Sequence, residues 1–206
     1  NNHIRKYPIG IQSFENLRRE GYLYVDKTAL IYRLITPGKP YFLSRPRRFG
    51  KSLLLSTLKA YFEGKKELFE GLAIEKLEKQ WAVHPVLHLD LNAEKYDSVE
   101  RLEMQMNSQL LNWESQYGCD AKDWTYSIRF MNVIKAAYEQ TGQQVVVLID
   151  EYDKPMLESL HDKELRDQFR SLLVAFYSVL KTADPYLRLV FITGLTKFAQ
   201  MSIFST

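Results

Sequence analysis

The sequence predicts an α/β fold, a mainly parallel central sheet covered on both faces by helices. Three observations lead there. Short apolar segments alternate with stretches of helical period, the order that parallel strands joined by crossover helices require. Val145-Val146-Val147-Leu148-Ile149 is an unbroken and largely β-branched run, which reads as a strand buried on both faces. A Gly-Lys-Ser step at Gly50-Lys51-Ser52 sits where a short apolar strand hands over to a helix.

Ile9 to Ile35 reads as helical stretches broken at Gly21–Thr28. Asp26 or Thr28 is placed to cap the second helix, which carries Leu30, Ile31, Leu34 and Ile35 on one side. Thr36-Pro37-Gly38-Lys39-Pro40 stops it with turn chemistry. Tyr41–Ser44 follows as a buried strand, and beyond Gly50 Leu54, Leu55, Leu58, Tyr61 and Phe62 share a broad helical face. His84–Leu91 reads as a second strand. Asp97 and Glu100 have capping-box spacing before a helix with Val99, Leu102, Met106, Leu110, Trp113 and Tyr117 as its stripe, ended by Gly118. A further helix runs near Ile128 to Glu139. After the Val145–Ile149 strand comes a long helix with Leu165, Phe169, Leu172, Phe176 and Leu180 inward, then a last strand, Leu187–Ile192.

The bulk numbers exclude several classes. At 206 residues and 46% hydrophobic, the chain can bury one continuous core without staples. Its single cysteine, Cys119, rules out an intrachain disulfide and fits a reducing compartment, so a cytoplasmic protein is expected. A net charge of +3, from 28 basic and 25 acidic side chains, does not announce a nucleic-acid binder. No apolar run approaches the roughly 20 residues of a membrane span, so no membrane partner is expected. The histidines show no zinc spacing with Cys119. Residues 1–40 are expected to form an amino-terminal segment packed on a core domain over 41–206.

Arg45-Pro46-Arg47-Arg48-Phe49-Gly50-Lys51-Ser52 carries the first site. Backbone N–H groups at a helix N-terminus, helped by the helix dipole, favour a phosphate. In a P-loop, Gly50 allows close approach, Lys51 reaches the β- and γ-phosphates, and the Ser52 hydroxyl ligates Mg²⁺. The usual opening glycine is replaced by Arg45, and Pro46 lacks a donor, so this segment also reads as a basic loop capping a helix. The Val145–Ile149 strand then delivers Asp150-Glu151 at its carboxyl end, the edge where open α/β sheets bind ligands. Asp150 is placed to hold Mg²⁺, through water, and Glu151 to orient and polarise the attacking water, with a solvated acidic turn as the competing reading. Asp90 is a rival strand-end acid and reads better as a loop anchor. The intervening His84–Leu91 strand and the glutamate fit the NTPase division in which an added strand separates the two motifs and a glutamate acts as base. There Thr193, with Thr196 and Lys197 beyond it, is placed to sense the γ-phosphate. A simple Thr-Gly turn is the competing reading.

Five segments together resemble the AAA-ATPase-like family of predicted bacterial ATPases: Pro8-Ile9-Gly10 with Phe14; Tyr24–Thr28; Arg45 through Leu53; Val147-Leu148-Ile149-Asp150-Glu151-Tyr152-Asp153-Lys154-Pro155; and Phe191–Phe198. The Arg-Pro-Arg-Arg-Phe opening is that family's own variant. The resemblance implies a P-loop NTPase three-layer sandwich of the AAA type that takes ATP and Mg²⁺. It implies nucleotide contacts from Arg47, Arg48, Phe49, Gly50, Lys51, Ser52 and Leu53, metal contacts from Ser52 and Asp150, and catalytic roles for Lys51, Glu151 and Thr193. It places Tyr7–Gly10 and Tyr24–Thr28 near the base, although Ile9, Ile11 and Phe14 could equally pack on the sheet. Relatives often continue into a nuclease-like carboxyl-terminal domain, so this chain is expected to be an N-terminal fragment with a homo-oligomer as one assembly. DNA remains an alternative partner, held by Arg45, Arg47 and Arg48 or by such a domain. Stacking on Trp113 or Trp124 would support it, but Trp113 fits a core stripe better.

Overall fold

A computed structural model describes residues 13–37, 50–92, 94–120 and 124–194. Among these residues the sheet has three parallel strands in the order β1 (Val86–Asp90), β2 (Val145–Asp150), β3 (Leu187–Ile192). The β2 strand is central and buried along its whole length, as an apolar β-branched run requires. Register pairs Leu89 with Ile149, Asp90 with Asp150 and Ile149 with Ile192, so all three carboxyl ends meet at one rim. The predicted strand Tyr41–Ser44 lies outside the described residues.

Both crossovers lie on one face. From β1 to β2 the chain runs through α5 (Val99–Tyr117) and α6 (Tyr126–Thr141); from β2 to β3 it runs through α7 (Lys154–Glu158) and α8 (Lys163–Thr182). Their stripes meet Leu87, Leu89, Val145, Val147 and Ile149 in one core. At its centre Phe130 stacks between Trp113 and Phe176, with centroids 5.7 and 4.8 Å away. Because strand side chains alternate, Val146, Leu148, Leu189 and Phe191 need a second layer. It comes from the chain before β1: α1 (Phe14–Arg19), α2 (Thr28–Ile35), α3 (Lys51–Phe62) and α4 (Ala73–Leu77).

Three details differ from the sequence reading. Ser98, not Asp97, caps α5: its hydroxyl accepts from the Arg101 N–H, while Asp97 reaches only an exposed contact with the Arg101 guanidinium. Adjacent capping residues compete, and the one whose oxygen faces the third N–H wins. In α8 Leu173 is fully buried where Leu172 is only partly so, while Phe169, Phe176 and Leu180 hold the expected stripe. The short helices α4 and α7, and the 3-10 turns at Lys66–Phe69 and Asp184–Tyr186, had no periodicity to announce them.

The Tyr24–Thr28 segment works as a clamp. Asp26 accepts from the Thr28 N–H and hydroxyl and, with its other oxygen, from the Ala73 N–H at 2.7 Å; the Thr28 hydroxyl accepts from the Ile74 N–H. One aspartate thus ties α2 to the start of α4. Burial opposes ionisation of Asp26, but these hydrogen bonds hold its carboxyl below the usual range. Tyr24 packs edge-on against Phe14, itself fully buried against Phe69.

Candidate functional site at the carboxyl-terminal rim

The carboxyl end of β2 is built as a tight knot. Thr193 continues the ladder past β3: its N–H donates to Ile149 O, and its carbonyl accepts from the Tyr152 N–H. This sets the Thr193 hydroxyl between the two acids. It donates to Asp150 Oδ1 at 2.6 Å and accepts from the Glu151 N–H at 3.2 Å. A hydroxyl has one proton, and here it goes to Asp150. Thr193, expected to face a phosphate, therefore first orients the two neighbouring acidic residues.

Glu151 has φ +57°, in the left-handed region that a non-glycine residue rarely adopts. Gly194, φ +75°, lies directly against it. A Cβ at Gly194 would meet Glu151 Cα and Asp153 Oδ1, each at 2.8 Å, so glycine is required there both by conformation and by space. Tyr152 is fully buried, its hydroxyl donating to Leu173 O, and anchors the turn in the long-helix layer. Lys154 closes the other side by donating to the carbonyls of Asn92 and Glu94.

Across the rim stands α3. Gly50 is its cap residue and offers no side-chain acceptor, so the first N–H groups of a 12-residue helix are not satisfied by a cap. Ser52, on the first turn, and Asp150, only 9% exposed, line one cavity of about 320 Å³. Further down, Ser56, Lys59 and Glu63 of α3 and His88 and Asp90 of β1 line the same cavity. Burial, reinforced by the Lys59 charge, pushes the His88 pKa down and keeps the ring neutral. Asp90 accepts from the Asn92 N–H at 2.8 Å, the loop anchor expected of it, yet its register with Asp150 also brings it to the cavity.

The structure therefore brings Ser52, Asp150, Glu151 and Thr193 to one rim. Arg47, Arg48 and Phe49 lie outside the described residues, as do Arg45, Tyr7–Gly10, Thr196, Lys197 and the side chain of Lys51. Sequence reasoning missed Lys59, Glu63 and His88. Their signal was available: Lys59 and Glu63 repeat on the Ser52 face of α3, and His88 alternates with Asp90 on β1.

Among the described residues no helix is long and apolar enough to cross a membrane. No solved structure matches this chain. A protein of Azotobacter chroococcum mcd 1, described as uncharacterized and encoded in the vnfD 5′ region, is 40% identical over 202 residues. That alignment takes in 98% of this chain and 39% of the relative, so the chain spans well under half of the relative's length. The family model for a predicted AAA-ATPase matches residues 8–204, which takes in α3, the acidic turn and Thr193 alike; this chain belongs to that family.

Proposed function

We propose that the chain binds ATP with Mg²⁺ at the carboxyl-terminal rim and hydrolyses it, in a P-loop NTPase core of the AAA type over 41–206 on which residues 1–40 pack. The carrying observation is that Ser52, on the first turn of α3, and Asp150, at the end of β2, line one cavity. Family membership supports a nucleotide as the ligand. Among the described residues no strand pairs with the outer edge of β3, and a Tyr41–Ser44 strand placed there would bring the loop before α3 to the Thr193 end.

The donor set fits Mg²⁺. That ion prefers one or two protein oxygens plus phosphates and water to a full protein cage. Among the described residues no cluster of three or more ligating His, Cys, Asp or Glu side chains forms, while the Ser52 hydroxyl and the Asp150 carboxylate both line the cavity. When bound, the ion would neutralise phosphate charge as it develops. The chain's own part is positional. The α3 N–H groups and the Lys51 ammonium would hold phosphate oxygens, Ser52 and, through water, Asp150 would hold the cation, and Thr193 fixes Asp150 in rotation. Glu151 takes the proton of a water whose oxygen attacks the γ-phosphorus; the bond to the bridging oxygen breaks and ADP leaves with the electron pair.

Isothermal titration with Mg·ATP, paired with a phosphate-release assay, tests this. Lys51→Ala should abolish measurable binding. Glu151→Gln should keep binding and lose turnover. Unchanged affinity in a folded Lys51→Ala protein would refute the assignment. Retained binding with no turnover in the parent chain favours a nucleotide-dependent module that needs an arginine from elsewhere.

A further inference from the structure

The opposite, amino-terminal rim of the sheet carries a second cavity, of about 150 Å³. It is lined by Tyr61 and Phe62 from the end of α3, by Glu78, Trp81 and His84 before β1, and by Arg188 near the start of β3. The strands are parallel, so it is separated from the Asp150 rim by the length of the sheet.

Two strong donors in its lining have no acceptor among the described residues. Trp81 is only 9% exposed, yet its buried Nε1 makes no hydrogen bond; neither does the buried Nη1 of Arg188. Buried donors are almost always matched, and a charged one left unmatched is costly. Neither side chain is free to turn away. The Arg188 guanidinium lies over the Phe62 ring at 5.5 Å, and its Nη2 donates to Ile35 O at 2.8 Å. The Trp81 ring is wedged against Tyr61 and Phe69, with centroids 5.6 and 5.2 Å away. Its backbone holds φ +48°, a left-handed conformation that a bulky residue adopts only when its surroundings enforce it. What enforces it is visible on both sides. The His84 N–H donates to Phe62 O, and at Gly64 (φ +73°) a Cβ would meet Val83 Cγ2 at 2.7 Å and Trp81 O at 3.2 Å.

Two further polar side chains of the lining are already bonded. Glu78 accepts from the Tyr61 hydroxyl and the Gln80 N–H, and His84 Nδ1 donates to Gln144 O at 2.8 Å. Two unmatched donors, a guanidinium edge and an indole N–H, thus border the cavity from solvent-shielded positions, beside an anion already satisfied. We propose that it binds the carboxylate of a small organic acid, one oxygen taken by Arg188 Nη1 and the other by Trp81 Nε1. A planar monoanion matches two fixed N–H donors and meets less repulsion from Glu78 than a dianionic phosphate does.

Proton–nitrogen correlation spectra of the ¹⁵N-labelled chain test this, the Trp81 indole peak being identified by its loss in Trp81→Phe. Sodium acetate should shift that peak saturably while the Trp113 and Trp124 indole peaks stay in place. Inorganic phosphate should act more weakly, and sodium chloride at equal ionic strength not at all. Arg188→Gln should weaken acetate binding about tenfold or more, and Arg188→Lys by less. A non-saturating shift overturns the proposal, as does a response to phosphate stronger than to acetate. An unchanged acetate response in folded Arg188→Gln does the same. Should that variant not fold, the wild-type titration decides alone.

Discussion

The two helical layers share one sheet and are held to it by different means. The α5–α6–α8 layer consists of long helices whose apolar stripes meet the odd-numbered residues of β2 and one another. Its main polar contact, the buried pair of Arg129 and Glu114, ties α5 to α6 with a contribution from Asn107. The α1–α4 layer consists mostly of short helices, none long enough to be stable by itself. It is sewn together by side chains that reach distant backbone: Asp26 to Ala73, Arg18 to Leu68 O, and Ser56 Oγ accepting from the Phe14 N–H. One layer is held chiefly by area, the other by a combination of area and specific polar stitches.

That difference can be broken from either side. The largest effect is expected from Phe130→Ala, which opens the stack between Trp113 and Phe176; it should cost about 3–5 kcal/mol in urea unfolding and lower the whole cooperative transition. Asp26→Ala removes acceptors from Thr28 and Ala73 and should cost about 1–3 kcal/mol. Its signature is local: amide exchange should quicken at Ala73 and Thr28 and hardly change at Val147. An equal rise at Val147 would show that the stitched layer has no separate opening. Gly194→Ala belongs to neither layer. It should cost at least about 1–2 kcal/mol through its positive φ and reduce phosphate release further, because the new methyl displaces Glu151.

The smallest effect is a pH slope. His84 and His88 line cavities bounded by α3, and burial holds both below their ordinary value of 6.5. As pH falls through that value the unfolded chain takes up the protons first. Stability is therefore full above it and declines below it, until the folded rings titrate as well. Urea midpoints between neutral and mildly acidic pH should show this decline, and a His84→Asn, His88→Asn double variant should flatten it.

The layers also differ in how readable they were. The α5 stripe of Leu102, Met106, Leu110, Trp113 and Tyr117 is local information, repeated along one segment, and it marks both the helix and its buried face. Val145–Ile149 announced the central strand in the same way. Asp26 reads locally as a helix cap; the cap residue of α2 is instead Lys27, without a side-chain cap bond, and Asp26 takes the Thr28 N–H from one position earlier. Its bond to Ala73 depends on where the chain returns, and no periodicity encodes that. At the candidate site, Ser52, Asp150 and Glu151 were legible because each sits at a junction between strand or loop and helix. The role of Thr193 was only half legible. Its position at a strand end is local, whereas the direction of its hydroxyl is set by the neighbouring β2 strand.

The left-handed backbone at Glu151 carries an implication for how this turn is maintained. Glycine tolerates φ +57° without strain, so Glu151→Gly should relieve about 1 kcal/mol of backbone strain, set against whatever the glutamate side chain contributes. A position whose conformation suits glycine gains nothing in conformation from a glutamate, so what this residue brings to the turn it brings through its carboxylate.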